Sequence, residues 1–154
     1  MKVFISYSTS LDQIIALRLQ TMAAVYGMTV YVPPATTRSA IAATLTPEVL
    51  NQLNDSDVVL AVITHAPAPS AVSEMNSALA AGKLLIPIVG AGVPPQNYNR
   101  FPRFFVVDPD NPSQVEQEIV KFLAEQRQAK AGTPALLALA TLTVALLLFG
   151  ADAR

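Results

Sequence analysis

Apolar residues along the chain fall into short runs separated by capped, amphipathic stretches. Val3–Ile5, Thr29–Val32, Val58–Ile63, Leu84–Val89 and Phe104–Val107 are runs of the strand type, dominated by aliphatic, β-branched and aromatic residues. After the first run, Leu11, Ile15, Leu19, Met22 and Tyr26 recur at helical intervals, Ser10 and Gln13 have capping-box spacing, and Gly27 supplies a stop. Thr46-Pro47-Glu48 gives a second helix its cap, a proline at the first helical position and an acid in the first turn, with Val49, Leu50 and Leu53 as its buried side. A third helix is predicted over about Ser70–Ala81. A fourth starts at Asn111-Pro112-Ser113-Gln114, with Val115, Ile119 and Phe122 on one face. Gly90–Pro102 carries little regular signal, and no internal repeat is apparent.

Two apolar runs joined through a helix make a βαβ crossover, so Asp57–Val89 predicts two parallel strands. Extended to the whole pattern, the expectation is an α/β fold: a five-stranded parallel sheet covered by helices on both faces. Ligands in such open sheets bind beyond the carboxyl ends of the strands. Glu74, near the start of the third helix and just past a central strand, is the acid that falls at that edge. An acid in the first turn of a helix also complements the helix dipole, worth roughly 0.3–1 kcal/mol, which is a purely structural use for it.

Composition changes this picture at one end. The chain of 154 residues is 52% hydrophobic and only 14% charged, and the excess of apolar residues sits in the last stretch. Ala131–Ala151 carries no charge, and Ala135–Phe149 is almost wholly apolar. As a helix the whole of Ala131–Ala151 rises about 31 Å, close to the roughly 30 Å hydrocarbon core of a bilayer. The expected organisation is a domain over 1–125, a linker over 126–133 and a hydrophobic, transmembrane helix over 134–150. The alternative use of that segment is as a packed helix or an oligomer core. Arg127 and Lys130 precede it, which favours a tail anchor in the cell inner membrane with the domain in the cytoplasm; a protein free in the cytoplasm is the alternative. The amino terminus enters a strand at once, so no secretory signal is expected. A net charge of −1 gives no nucleic-acid surface. Without cysteine, and with His65 as the single histidine, there is no thiolate metal site and no disulfide framework.

The opening Val3-Phe4-Ile5-Ser6-Tyr7-Ser8 resembles the first box of Toll/interleukin-1 receptor (TIR) domains. The loop Pro33–Ala40 after the second strand, then Ser70-Ala71-Val72-Ser73-Glu74, Ala78, Gly82-Lys83 and Ile86-Pro87-Ile88, follow in the order of that family over roughly residues 1–125. The resemblance implies a flavodoxin-like sheet and two possible jobs. Many bacterial and plant TIR domains cleave NAD at the nicotinamide–ribose bond, and others only associate with one another. Glu74 matches the catalytic glutamate of the enzymes. Because nicotinamide is already a cationic leaving group and the ribose becomes oxocarbenium-like, one carboxylate suffices, with NAD as substrate and no metal or other cofactor. Many catalytic members carry a tryptophan or similar aromatic four residues before the glutamate; here that position is Ser70. The loop after the second strand likewise has Pro33-Pro34 and Arg38 in place of the usual acid and glycine pattern.

The other candidates surround this edge. Tyr7, Ser8, Thr9 and Ser10 can offer amides and hydroxyls to a diphosphate or ribose, Arg38 can pair with phosphate, Tyr31 can stack on a base or pack in the core, and Ser70 is the remaining substrate-binding candidate. His65 is read as structural and Gly90-Ala91-Gly92 as a turn. Ser73, with no histidine partner, does not support a serine hydrolase. Self-association through the domain, in antiphage defence, is the expected context. A non-catalytic adaptor is the main alternative, and a nucleoside deoxyribosyltransferase-like enzyme, with its sheet-edge glutamate and N-terminal tyrosine, is the second.

Overall fold

Strands and helices alternate along the chain, in a computed structural model that describes residues 1–38, 45–99, 101–108 and 110–129. The strands are β1 (Lys2–Ser6), β2 (Thr29–Tyr31), β3 (Val58–Ile63), β4 (Leu84–Gly90) and β5 (Phe105–Val107). The helices are α1 (Ser10–Val25), α2 (Pro47–Asp55), α3 (Pro69–Ala80) and α4 (Pro112–Ala129), with short 3₁₀ turns at Ala35–Arg38 and Pro95–Asn97. All pairings are parallel, in the order β2-β1-β3-β4-β5. This is the flavodoxin-like order, whose switch point lies between β1 and β3.

Side chains alternate across each strand, and that alternation divides the core. Val3, Ile5, Val58, Leu60, Val62, Ile86 and Ile88 face α1 and α4, where Ala16, Leu19, Ile119 and Leu123 meet them. Phe4, Val59, Ala61 and Leu85 face α2 and α3, where Leu53, Met75 and Ala78 close the layer. Pro87 lies inside β4 opposite Ala61 of β3, one residue before β5 begins to pair with β4 at Ile88.

Two helix ends follow one design. Gly27 and Gly82 have φ of 72° and 70°, and each is followed by an amide that reaches back into the last turn: Met28 to the Ala23 carbonyl at 3.1 Å and Lys83 to that of Ala78 at 2.9 Å. These are Schellman ends, in which glycine takes the left-handed position at no steric cost. The Gly82-Lys83 turn also places Lys83 Nζ 2.7 Å from the carbonyls of Asn54 and Ser56, satisfying the end of α2.

Several local expectations are corrected. The cap of α1 is Thr9, not Ser10: Thr9 and Asp12 form the reciprocal capping box. Leu11 and Tyr26 are exposed; of the expected face Leu19 is buried and Ile15 and Met22 pack at its margin, with Asp12, Ala16 and Ala23 completing it, the alanines letting the helix sit close to the sheet. Leu50 is exposed too, leaving Val49 and Leu53 as the buried residues of α2. Helix α4 continues to Ala129, through the first residues of the stretch read as a linker. No helix among the described residues is long and apolar enough to cross a membrane; the apolar segment 134–150 lies outside the described residues, as do Ser39 and Ala40 of the loop after β2.

Candidate functional site

Helix α3 begins at Pro69 without a side-chain cap; its N-cap, Ala68, instead donates its amide to Ser8 Oγ at 2.8 Å. That contact ties the start of α3 to the loop beyond β1. From there Ser70, Ala71, Glu74, Met75, Ala78 and Leu79 form the buried stripe, which puts Ser70 and Glu74 one above the other on the face turned to the sheet. Glu74 therefore lies past the first turn of α3, which contains no acid. The dipole account of this residue does not apply; its partners are tertiary.

Glu74 is 1% exposed. Arg38, the last residue of the 3₁₀ turn after β2, donates from Nη1 to Oε1 and from Nη2 to Oε2, both at 2.7 Å. Ser6 Oγ donates to Oε1 at 2.7 Å. Ser6 reaches it because it shares the strand face of Phe4, the face turned to α3. Sequence reasoning had not singled Ser6 out, although a serine closing an apolar strand at the ligand edge is the signal that marks it. The Arg38 guanidinium is only 6% exposed and lies 4.6 Å from the centroid of the Tyr7 ring, a cation–π contact. Ser70 Oγ is 3.4 Å from Arg38 Nη1.

Tyr7 anchors the other side. Its hydroxyl donates to the Pro33 carbonyl at 2.6 Å, holding the chain that leads from β2 into the Arg38 turn. Burial pushes the Tyr7 hydroxyl above the ordinary value of 10.0, opposed by the neighbouring Arg38 charge. Tyr31 is raised as well, first by burial and then by the charges of Glu48 and Glu74. The Tyr31 ring packs 5.6 Å from that of Phe4, and its hydroxyl is buried without a partner.

The remaining sequence candidates divide by location. Of them, Tyr7, Arg38, Ser70 and Glu74 form one connected cluster at the carboxyl end of β1, joined by Ser6, which was not among the candidates. Ser8 is used by α3, Thr9 by the α1 cap, and Ser10 is exposed at the start of α1. His65 is exposed, with Nδ1 3.0 Å from Thr64 Oγ1, and that hydroxyl also bonds Asp12. Among the described residues no group of three His, Cys, Asp or Glu side chains is arranged to hold a metal.

Chemically, the cluster is an anion already satisfied. With Arg38 in place both carboxylate oxygens of Glu74 are taken, and the pair carries no net charge toward solvent. Charge-assisted bidentate pairs are among the stronger hydrogen bonds of proteins. Glu74 becomes available to a cationic or oxocarbenium-like centre only when the guanidinium moves away.

No protein-family model matches the sequence, and no curated protein matches it. Among solved structures, the chain is similar to the TIR domains of the activated Roq1 resistosome directly recognizing the pathogen effector XopQ, at 15% identity and a TM-score of 0.48, over 94% of this chain and 82% of that one. It is similar to the same degree to a putative quinone reductase from Klebsiella pneumoniae, at 14% identity and a TM-score of 0.48, over 86% of each chain.

Proposed function

We propose that this chain is a TIR-type domain that cleaves NAD at the nicotinamide–ribose bond, with Glu74 as the catalytic carboxylate. The observation that carries the reading is the position of Glu74: a buried carboxylate at the ligand edge of β1, oriented by Ser6 and covered by a single arginine. The ordered motifs from Phe4 to Ile88 support it from the sequence side.

In this mechanism Arg38 exchanges Glu74 for the diphosphate of NAD, a partner of the same charge and the same bidentate geometry. The freed carboxylate, still held by Ser6, faces the ribose. The C1′–N bond breaks with its electron pair going to nicotinamide, which leaves neutral, and the positive charge that develops on the ribose is stabilised by Glu74. Water or a ribose hydroxyl then attacks C1′ and loses its proton to solvent, giving linear or cyclic ADP-ribose. Tyr7, packed against the guanidinium, sets where Arg38 rests between turnovers. Self-association of domains, and tethering through the apolar segment 134–150, would raise local concentration and with it activity.

The bidentate pair itself favours a second reading, a binding module in which Glu74 is purely structural, since no oxygen of Glu74 is left free. One experiment separates the two. The full chain, gathered at high density on vesicles, is given NAD, and nicotinamide and ADP-ribose species are quantified beside a Glu74→Gln variant. Release of nicotinamide that falls at least about 100-fold in the variant supports catalysis at Glu74, in line with the loss of one preorganised electrostatic group. No release above background from the assembled native chain establishes the binding module. Equal release by both proteins keeps NAD cleavage and removes Glu74 from it.

A further inference from the structure

A second buried glutamate lies on the opposite face of the sheet, outside the cluster just described. Glu116 of α4 is 1% exposed. Its Oε2 pairs with Arg18 Nη2 at 3.0 Å, and that guanidinium, 47% exposed, also stands 3.4 Å from Ser113 Oγ. The other oxygen, Oε1, is buried with no hydrogen-bond partner. A buried carboxylate oxygen without a donor is a cost that folded chains ordinarily avoid.

Glu116 is also part of the wall of a cavity of about 390 Å³, within the range of roughly 300–1,000 Å³ usual for small-molecule sites. The cavity sits at the carboxyl edge of β3, β4 and β5, between the first turns of α1 and α4. Leu11, Ile14, Val107 and Pro112 make its lining mostly apolar, and Thr64 adds a polar edge. Leu11 and Ile14 are 60% and 54% exposed, an unusual loss of apolar surface to water on a helix whose other face is packed. Gly90 completes the floor: a Cβ there would stand 3.1 Å from Thr64 Cα, a tight approach that glycine relieves where β4 closes on the end of β3.

We propose that this cavity is a binding site for a neutral, largely apolar small molecule whose N–H or O–H donates to Glu116 Oε1. The apolar walls ask for an apolar body, and the orphaned oxygen asks for one donor. Neutrality follows from Arg18, which already balances the charge of Glu116. A cationic ligand would bring a further charge against apolar walls without a counterion. Oε1 is shielded from the cavity in the resting structure, and the half-exposed Arg18 is the side chain whose displacement opens it to the donor. The site is independent of the Glu74 reading, because it lies on the other face of the sheet and shares no residue with that cluster.

Indole is a suitable probe, being apolar with a single N–H donor, and 1-methylindole is its donorless counterpart. Each is titrated into the full ¹⁵N-labelled chain while backbone amide shifts are followed. The expected result is saturable shifts at Thr64, His65, Ala91 and Gly92, with indole binding about tenfold more tightly than 1-methylindole, the ratio that one hydrogen bond to a charged acceptor supplies. Glu116→Gln, which retains an acceptor, keeps a preference for indole; Glu116→Leu, which removes it, binds the two compounds equally. Equal affinity for both compounds in the native chain overturns the proposal without recourse to any variant, and so does a preference that survives in Glu116→Leu. Absence of saturable shifts also overturns it, and methyl contacts between Ile14 and the leucines of 136–148 in that case would assign the cavity to the chain's own apolar segment.

Discussion

Glu74 and Glu116 are each 1% exposed and each paired with one arginine, on helices that cover opposite faces of the same sheet. Glu74 has every oxygen engaged, by a guanidinium that is itself buried and by Ser6. Glu116 has one oxygen engaged, by a guanidinium half in water, and one left over. Burial alone thus says little about what a carboxylate is for. A satisfied carboxylate is locked until its partner moves, whereas an unsatisfied one already has a vacancy in its hydrogen bonding. Asp12, at 0% exposure, marks the limit at which the group is wholly consumed by structure, in the α1 cap and the Thr64 contact.

The largest expected effect follows from breaking the satisfied pair. Glu74→Leu leaves Arg38 buried without its counterion and should lower stability by about 3–5 kcal/mol, read as a fall in the urea midpoint at constant slope. Combining it with Arg38→Leu should recover most of that loss, because a buried pair can be replaced by apolar groups at little net cost. If the double variant is as unstable as the sum of the single ones, Arg38 and Glu74 are not the coupled pair that the comparison requires.

The architecture was legible in the sequence because its signals are local. Five apolar runs, the Thr46-Pro47 start and the Gly27 stop each speak through neighbours a few residues away. The edge position of Glu74 followed from the crossover pattern. What was not legible is what depends on distance along the chain: Arg38 and Glu74 meet across 36 positions, and nothing local told a phosphate-binding arginine from one resting on a carboxylate. On α1 the expected face holds at Leu19 and, at its margin, at Ile15 and Met22, but its ends, Leu11 and Tyr26, match the helical period and stay exposed while Ala16 and Ala23 make the close contact. Glu116 did leave a trace, in that Glu116, Ile119, Val120 and Leu123 share one helical stripe. A charged residue on the core side of an amphipathic helix was the available sign.

Alkaline pH gives a milder way to probe the Glu74 side. Tyr7 and Tyr31 both hold their protons above the ordinary tyrosine value of 10.0, chiefly because of burial. The folded chain therefore keeps protons that the unfolded chain gives up, so this contribution is complete below pH 10 and is lost as pH rises through the raised folded values. Stability should be flat from about pH 7 to 9 and fall above about 10. Tyr7→Phe, which loses the hydrogen bond to Pro33, should cost about 1 kcal/mol at neutral pH and show a shallower alkaline fall. Equal slopes in the two proteins would place the titration elsewhere.

On the opposite face, Glu116→Leu should change stability by less than about 1 kcal/mol. It gives up a pair with a half-exposed arginine, worth little, and also removes a buried oxygen that has no donor. The contrast with Glu74→Leu is the sharpest form of the comparison, since residue type, burial of the carboxylate and substitution are the same, and what differs is its satisfaction and the burial of its arginine. A loss of several kcal/mol at Glu116 would mean that the two sites are built alike.

The smallest effect concerns how α3 holds Glu74 in place. Ala68 occupies the N-cap in an extended conformation, with φ of −66° and ψ of 153°, and offers no side-chain oxygen to the first turn. Ala68→Ser supplies that acceptor without moving the backbone and should stabilise the fold by about 0.5–1 kcal/mol, the usual worth of a serine cap. The Ser8 contact uses the amide of residue 68 and survives the change. A gain in stability with the Glu74 cluster unaltered would show that Ser8, Ser6 and Arg38 set the register of α3 by themselves. If no gain appears, the start of α3 is already fixed by Pro69 and the Ser8 contact, and a local cap has nothing left to add. Helix α4 provides the reference: Glu116 lies on its buried stripe without a second hydrogen-bond donor, so a better cap on α3 should leave that carboxylate, and the indole preference expected of it, unchanged.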